Sequence, residues 1–285
     1  GSPASKSNGS GIGGTGMPVS KNTGSGIGGT GAIANGTGGI GGTGQKTKNQ
    51  ASIIIGTITG FGSICVNGVE IHYSKSTPIE VNGEQAGTDQ LAIGQTVSVS
   101  VLGTGAEVIA QTIQVMNIVA GPITDINPHL NKVTVLGQQV QLSNKTHFSS
   151  TESNISKLQK GDFIQVSGLR QSNENIIANR VSQIHNQSKV HLSGTVNHVS
   201  SHGFKIAGMQ VNTDKADRLK EGQEVTVSGH LSANKFFAQQ ITPIVIADNQ
   251  RFKLEGYAQI DTANDGRLQL KVGYIAIEAN EQIQQ

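Results

Sequence analysis

The sequence predicts an all-β chain of tandem small barrels behind a glycine-rich N-terminal arm, and three observations carry that expectation. Beyond residue 50, apolar residues recur at every second position, the pattern of strands with one buried face. Turn chemistry interrupts these runs at short intervals: Asn67-Gly68, Asn82-Gly83 and Asn264-Asp265-Gly266 offer residues that tolerate positive φ. Three sequence landmarks then recur in a constant order, which marks an internal repeat.

The arm comes first. Of the 38 glycines, 17 lie in residues 1–50, and the hexapeptide Gly-Ile-Gly-Gly-Thr-Gly recurs at 11–16, 26–31 and 39–44. Such a segment loses too much backbone entropy on ordering to fold by itself. It is expected to be a flexible tether with a root-mean-square span of about 40 Å. Spacings such as Gly24, Gly26 and Gly29 imitate a dinucleotide loop, but that loop must link a strand to a helix, and here Pro18 and further glycines surround it.

The repeat follows. Its first half is a Gly, an alternating strand, a turn and a second strand running into a further Gly. It reads Gly56-Thr-Ile58 to Val66-Asn-Gly68, Gly121-Pro-Ile123 to Val135-Leu-Gly137, Gly194-Thr-Val196 to Ile206-Ala-Gly208, and Gly256-Tyr-Ala258 to Leu270-Lys-Val-Gly273. The second half is Leu-x-x-Gly-(Gln/Asp) and another alternating strand, at Leu91–Val99, Leu158–Val166 and Leu219–Val227. A last strand opens with Ala and places Ile or Val three residues on, at Ala110/Ile113, Ala178/Val181 and Ala238/Ile241. The glycine of Leu-x-x-Gly recurs after 67 residues and then 61 (94, 161, 222).

No 11-residue window after residue 50 has helical periodicity; at most one turn is expected near 213–220. Five strands in about 65 residues with glycine corners match a small closed barrel of the oligonucleotide/oligosaccharide-binding (OB) type. The expected organisation is an arm at 1–50, barrels at 51–118, 119–186 and 187–246, and a partial fourth unit at 247–285.

The landmarks resemble a bacterial envelope family catalogued as domain of unknown function 5666. The resemblance rests on Gly-x-Ile-x-x-Phe-Gly-Ser-Ile-x-Val-Asn-Gly at 56–68, Gly121-Pro-Ile-Thr, the Leu-x-x-Gly strand and the Gly-Ile-Gly-Gly-Thr-Gly arm. It implies OB-like units and export across a Gram-negative inner membrane, and it implies no activity. Arms in that family often follow a lipidated Cys; here no Cys precedes Cys65. The expected location is therefore extracellular or on the outer cell surface, with the periplasm as the alternative.

Composition narrows the chemistry. Net charge is +2, and the arm holds Lys6, Lys21, Lys46 and Lys48 with no acid, so the remainder is near neutral. There is no concentrated basic stripe and no Trp, so no nucleic-acid partner is expected. A glycan partner needs less charge. No apolar run reaches 18 residues, hence no transmembrane segment is expected. Cys65 is the single cysteine, which excludes an internal disulfide.

Candidate catalytic and metal groups are sparse. His185, His191, His198 and His202 fall close together, but no Cys or tightly spaced acid completes a zinc set, and exposed hairpin positions are the expected reading. Asp261 to Gly266 opens like a calcium loop, yet Ala263 and Val272 occupy ligand positions, so a plain turn is expected. Cys65 alternates with Ile64 and Val66, as a semi-buried strand thiol would, with His72 as the nearest base in sequence. No nucleophile elbow, phosphate loop or zincin helix occurs. The expectation is a non-enzymatic protein with no cofactor.

The fourth unit stops short of its Leu-x-x-Gly strand in the sequence as read. Two or three strands alone leave backbone donors and acceptors open. The third unit, the arm or a neighbouring copy would have to pair with them, the last by strand addition. Head-to-tail repetition of that pairing builds a filament. The expected assembly surfaces are Gly11, Ile12, Gly26, Ile27, Gly39 and Ile40 in the arm, and Leu268, Leu270, Tyr274, Ile275 and Ile277 in the last strands. The expected partners are copies of the same chain. The alternative is a tethered module whose barrel loops hold a surface glycan or an envelope protein.

Overall fold

A computed structural model describes residues 51–103, 108–150, 154–184, 189–244, 251–262, 268–272 and 275–277. All of them lie in the unit formed by Thr47–Gln285. The arm, and with it every assembly residue expected there, lies outside the described residues.

The first barrel comprises β1 (Ser52–Gly60), β2 (Ile64–Val66), β3 (Val69–Ile71), β4 (Ile79–Val81), β5 (Glu84–Ala86), β6 (Thr96–Leu102) and β7 (Ile109–Val115). The second comprises β8 (Val119–Asn127), β9 (Lys132–Val135), β10 (Gln138–Gln141), β11 (His147–Phe148), β12 (Phe163–Arg170) and β13 (Ile176–Gln183). The third comprises β14 (Lys189–Ser200), β15 (Gly203–Ile206), β16 (Met209–Asn212), β17 (Glu224–Ser232) and β18 (Lys235–Pro243). Four strands follow: β19 (Arg251–Leu254), β20 (Ala258–Thr262), β21 (Leu268–Val272) and β22 (Ile275–Ile277).

Each barrel closes on five strands in the same way. The first strand pairs antiparallel with the second and the fourth, and the third closes on the fifth in parallel. In the second barrel Val140 pairs Ile176, and in the third Val211 pairs Phe236. In the first, the chain just beyond β3 makes this closure: the His72 N–H donates to Val108 O at 2.8 Å and the Ala110 N–H to His72 O at 2.8 Å. Closure leaves no free edge within the five-stranded cycle. Alternation then fills each interior, with Ile58, Ile64, Val97 and Ile113 buried in the first and Val196, Phe204, Val227 and Phe236 in the third.

The repeated landmarks now have physical reasons. The Leu-x-x-Gly-(Gln/Asp) segment is a turn with glycine at positive φ, 87°, 92° and 79° at Gly94, Gly161 and Gly222. Each glycine N–H donates to the first strand, at Ile58 O, Ile123 O and Val196 O, all at 2.9 Å. The N–H groups of Ile58, Ile123 and Val196 donate back to the carbonyls of Gln95, Asp162 and Gln223. The side chain of the Gln or Asp accepts from the N–H three residues earlier, Ala92 at 2.7 Å, Gln159 at 2.9 Å and Lys220 at 3.1 Å. A carbonyl or carboxylate oxygen there serves equally, which is why both residue types occur. A single 3-10 turn precedes the motif in each barrel, at Thr88–Gln90, Ile155–Lys157 and Ala216–Arg218.

The opening glycines answer a steric demand. A Cβ at Gly56 would stand 2.2 Å from Asn67 Oδ1, at Gly121 2.8 Å from Leu136 Cγ, and at Gly194 2.7 Å from Ile206 Cγ2. Each contact comes from the hairpin between the second and third strands, whose two-residue turns carry positive φ at both positions: Asn67-Gly68, Leu136-Gly137 and Ala207-Gly208. The Ser-Gly pairs of the fourth strands are β-bulges, where Gly168 opposes Ala178 and Gly229 opposes Ala238. In the first barrel the bulge falls at the same place, between Ser100 and Val101, and Ala110 there faces Val101.

Beyond the barrels, residues just before the opening glycines join units to one another. His191 and Leu192 of β14 pair antiparallel with Ala120 and Val119 of β8, so the second and third barrels share one sheet and one contiguous apolar cluster. The equivalent stretch of the fourth unit, β19, returns to the first barrel and pairs parallel with β1, Ser52 to Arg251 through Ile55 to Leu254. That covers the half of β1 that β2 does not reach. Strands β20, β21 and β22 form a separate antiparallel sheet.

Candidate functional site

Two features have geometry beyond that of a closed barrel: the outer edges of the C-terminal sheet, and a polar junction where the barrels meet.

In the C-terminal sheet, β21 lies between β20 and β22. Leu268 pairs with Thr262, Leu270 with both Ile260 and Ile277, and Ile275 with Val272. The structure thus brings Leu270 and Ile277 to one cross-strand position. Tyr274 and the turn at Asn264-Asp265-Gly266 lie outside the described residues. Among the described residues, neither β20 nor β22 has a strand on its outer side. Of the three alternatives for covering this edge, pairing with the third unit is not seen among the described residues, where the fourth unit's strand pairing outside its own sheet runs from β19 to the first barrel.

The polar junction corrects one expectation. His191 does not occupy an exposed hairpin position; it is 5% exposed, at the seam of β8 and β14. Its Nδ1 lies 3.1 Å from Ser228 Oγ and its Nε2 3.1 Å from Ser193 Oγ. The Ser193 hydroxyl donates onward to Asn117 O at 3.3 Å. The Ser167 hydroxyl donates to Asn117 Oδ1 at 2.9 Å, and Asn117 Nδ2 donates to Asn82 Oδ1 at 3.2 Å. One hydrogen-bonded chain therefore crosses all three barrels. Burial pushes the His191 imidazole down to about 4, against a smaller upward pull from the Asn117 backbone. A serine beside a histidine suggests a nucleophile, but the far imidazole nitrogen meets a hydroxyl where a triad would place a carboxylate. An imidazole near 4 is also a weak base at neutral pH. The arrangement is chemically that of a structural pin. His198 and His202 are exposed as expected, and His185 lies outside the described residues. Cys65 is half-buried.

Next to this seam, a cavity of about 320 Å³ opens between β1, β6, β12, β14, β17, β19 and β21. Arg170 enters it from the end of β12. Its two terminal nitrogens are engaged, donating to Gln138 Oε1 at 2.8 Å, Glu174 O at 3.0 Å and Ser193 O at 3.1 Å. Its Nε has no partner among the described residues. Burial lowers the guanidinium from its ordinary value, opposed by Glu174 and then Glu224. Glu224 accepts from the Thr195 hydroxyl, and Glu255 accepts from the Thr57 N–H at 2.7 Å. Thr96, 6% exposed, is also a lining residue, and its hydroxyl has no partner among the described residues. Neither Arg170 nor Thr96 stood out in the sequence: each is the terminal residue of its strand, and no spacing brings positions 96, 170 and 255 together.

Among the described residues no group of three or more His, Cys, Asp or Glu converges as a metal would require. No helix there is long and apolar enough to cross a membrane, which leaves open any crossing by strands.

Fold and site together define a tandem protein of closed five-stranded barrels with OB-like topology. More particularly, the chain belongs to the family of domain of unknown function 5666, whose profile matches residues 54–114, 120–182 and 193–242 in tandem. Each matched segment begins within three residues of the start of a barrel's first strand or inside it, and none includes β19–β22. No curated protein and no solved structure matches the chain.

Proposed function

We propose that this chain is a non-enzymatic structural protein of the cell exterior, which joins copies of itself by strand addition at the C-terminal sheet. The observation that carries the reading is the contrast between three self-closed barrels and one sheet whose outer strands have no described partner. Unpaired backbone N–H and C=O groups along a strand template another strand. The glycine-rich arm supplies donor segments in triplicate, and its Ile12, Ile27 and Ile40 are the apolar side chains such a strand would bury. One donor and one acceptor per copy make a head-to-tail contact, which propagates as a filament unless the rotation closes it. Export is supported by the family resemblance of the repeat and the arm.

The test is the mass and shape of purified protein by light scattering and negative-stain electron microscopy. Three forms are compared: the full chain, a form lacking residues 1–46, and a form lacking 256–285. The expected result is concentration-dependent polymer from the full chain and monomer from both truncations. A full chain that stays monomeric at high concentration refutes the reading. Polymer that survives either deletion refutes the assignment of donor or acceptor.

A further inference from the structure

We propose that the outer face shared by the second and third barrels binds a neutral glycan, one pyranose ring seated beneath the β4–β5 hairpin of the first barrel, with His230 and Phe237 beside it. This is independent of the assembly reading, since it concerns a different surface and needs no second copy.

Strand pairing makes β12, β8, β14 and β17 one continuous sheet, and its register sets Gln165, Ala120, His191 and Ser228 in a single row across it. These four line a cavity of about 330 Å³, at the small end of ligand sites, which suits one ring. Its other wall is the β4–β5 hairpin, through Val81, Asn82, Glu84 and Gln85. Barrel closure does not require β5. It pairs only with β4, and among the described residues the second and third barrels have no equivalent strand. Contacts outside the hairpin fix its place instead. Asn82 Oδ1 accepts from the N–H and from Nδ2 of Asn117, just before β8, each at 3.2 Å, and Glu84 pairs with Lys189 of β14. The first barrel thus carries an added element that is held over this face.

The polar groups on this cavity are within reach of a ligand. The side chains of Glu84 and Lys189 are 65% and 41% exposed. Gln85 and Gln90 are exposed, and Asn82 and Gln165 are half-buried. The side-chain amides of Gln90 and Gln165 have no partner among the described residues, and they are not sealed from solvent. An amide both donates and accepts, as a hydroxyl does, so a wall of Asn and Gln side chains is complementary to a polyol. Charge decides against an anion: Lys189 is already paired with Glu84, and both ring nitrogens of His191 are engaged by Ser228 and Ser193. Apolar surface lies next to the amides. Two residues along β17 from Ser228, the exposed His230 faces Lys189 across the strand pair and stacks on Phe237, with ring centroids 5.6 Å apart. A pyranose needs that combination, an aromatic surface for its C–H face and amides for its hydroxyl edge. For one ring, ordinary ligand efficiency gives a dissociation constant of about 1 mM.

The experiment titrates the full chain with glucose, galactose, mannose, N-acetylglucosamine, maltose, lactose and chitobiose, with glucuronate and inorganic phosphate as anionic probes. Calorimetry, thermal melting and the histidine-ring NMR signals are the readouts. At least one neutral sugar is expected to bind saturably and raise the melting temperature by about 4 °C at tenfold excess over its dissociation constant. The same sugar should shift the His230 ring signals, which are identified by their loss in His230→Ala. Gln165→Ala removes an amide with no described partner, so its ligand-free melting temperature should stay within about 2 °C of the parent's, while affinity falls about fivefold. His230→Ala, at an exposed position, should weaken binding by a similar factor of about five. The proposal is overturned if no neutral sugar binds, if both variants bind like the parent chain, or if the anions bind as tightly as the sugars. Binding that leaves the His230 signals unmoved overturns it as well, because the sugar then sits elsewhere.

Discussion

Acidification should selectively weaken the joint between the second and third barrels, through His191. In the folded chain burial holds this imidazole neutral until about pH 4, whereas an unfolded histidine protonates near its ordinary 6.5. The sign follows from proton counts. Between these values the unfolded state binds a proton that the folded state does not, so stability falls as pH falls. Above 6.5 the contribution is fully present; below about 4 it has been lost. At about 1.36 kcal/mol per pH unit, the loss across that window is about 3 kcal/mol. This is a large share of the 5–15 kcal/mol that ordinarily holds a domain together. The chain contains no Trp, so urea unfolding is best followed by far-ultraviolet circular dichroism, at pH 7.5, 6, 5 and 4.2. The control is His191→Gln, which stays neutral throughout and retains hydrogen-bonding groups for Ser193 and Ser228. Carboxylates titrate in both proteins, so their effect cancels in the difference. The parent chain should lose about 3 kcal/mol more than the variant between pH 7 and 4. Parallel pH profiles would refute the reasoning, as would an NMR titration placing the His191 midpoint near 6.5.

Two further predictions concern the repeated landmarks. A Cβ at Gly229 would lie 1.9 Å from Phe237 O, a backbone atom that cannot step aside, so Gly229→Ala should cost about 3 kcal/mol. Gly137→Ala, with φ at 73° and nothing within 4 Å of its Cβ, should cost only about 1 kcal/mol from the left-handed backbone; equal losses in urea unfolding would refute the steric account. Asp162→Ala removes the acceptor for the Gln159 N–H and should cost about 1 kcal/mol, whereas Asp162→Gln should restore most of it, since Gln does the same work at positions 95 and 223.

Much of the repeat was legible because its causes are local. Alternation identified the strands, and the Asn67-Gly68 and Asn82-Gly83 pairs identified hairpin turns that do have positive φ at both residues. The equivalent turns at Leu136-Gly137 and Ala207-Gly208 carry no such signature in their first residue; only their place in the repeat marks them. The Leu-x-x-Gly-(Gln/Asp) motif was visible as a pattern before its reason was: the glycine N–H and the following carbonyl dock on the first strand of the same barrel. His191 was misjudged because its burial does not follow from strand alternation. Val190, His191 and Leu192 are all buried in succession, since one side faces the barrel and the other faces β8.

From its own order of residues this protein determines how each barrel closes, because every closing contact falls within one repeat and is dictated by alternation, glycine turns and bulges. Only the tertiary structure decided how the units meet. The return of β19 to β1 joins residues about 200 apart in the chain. The hydrogen-bonded chain through Asn82, Asn117, Ser167 and Ser193 and the cavity holding Thr96 and Arg170 likewise draw on more than one repeat. The physical reason is that strand pairing uses backbone groups common to all residues, so sequence can announce that an edge exists without naming the strand that fills it.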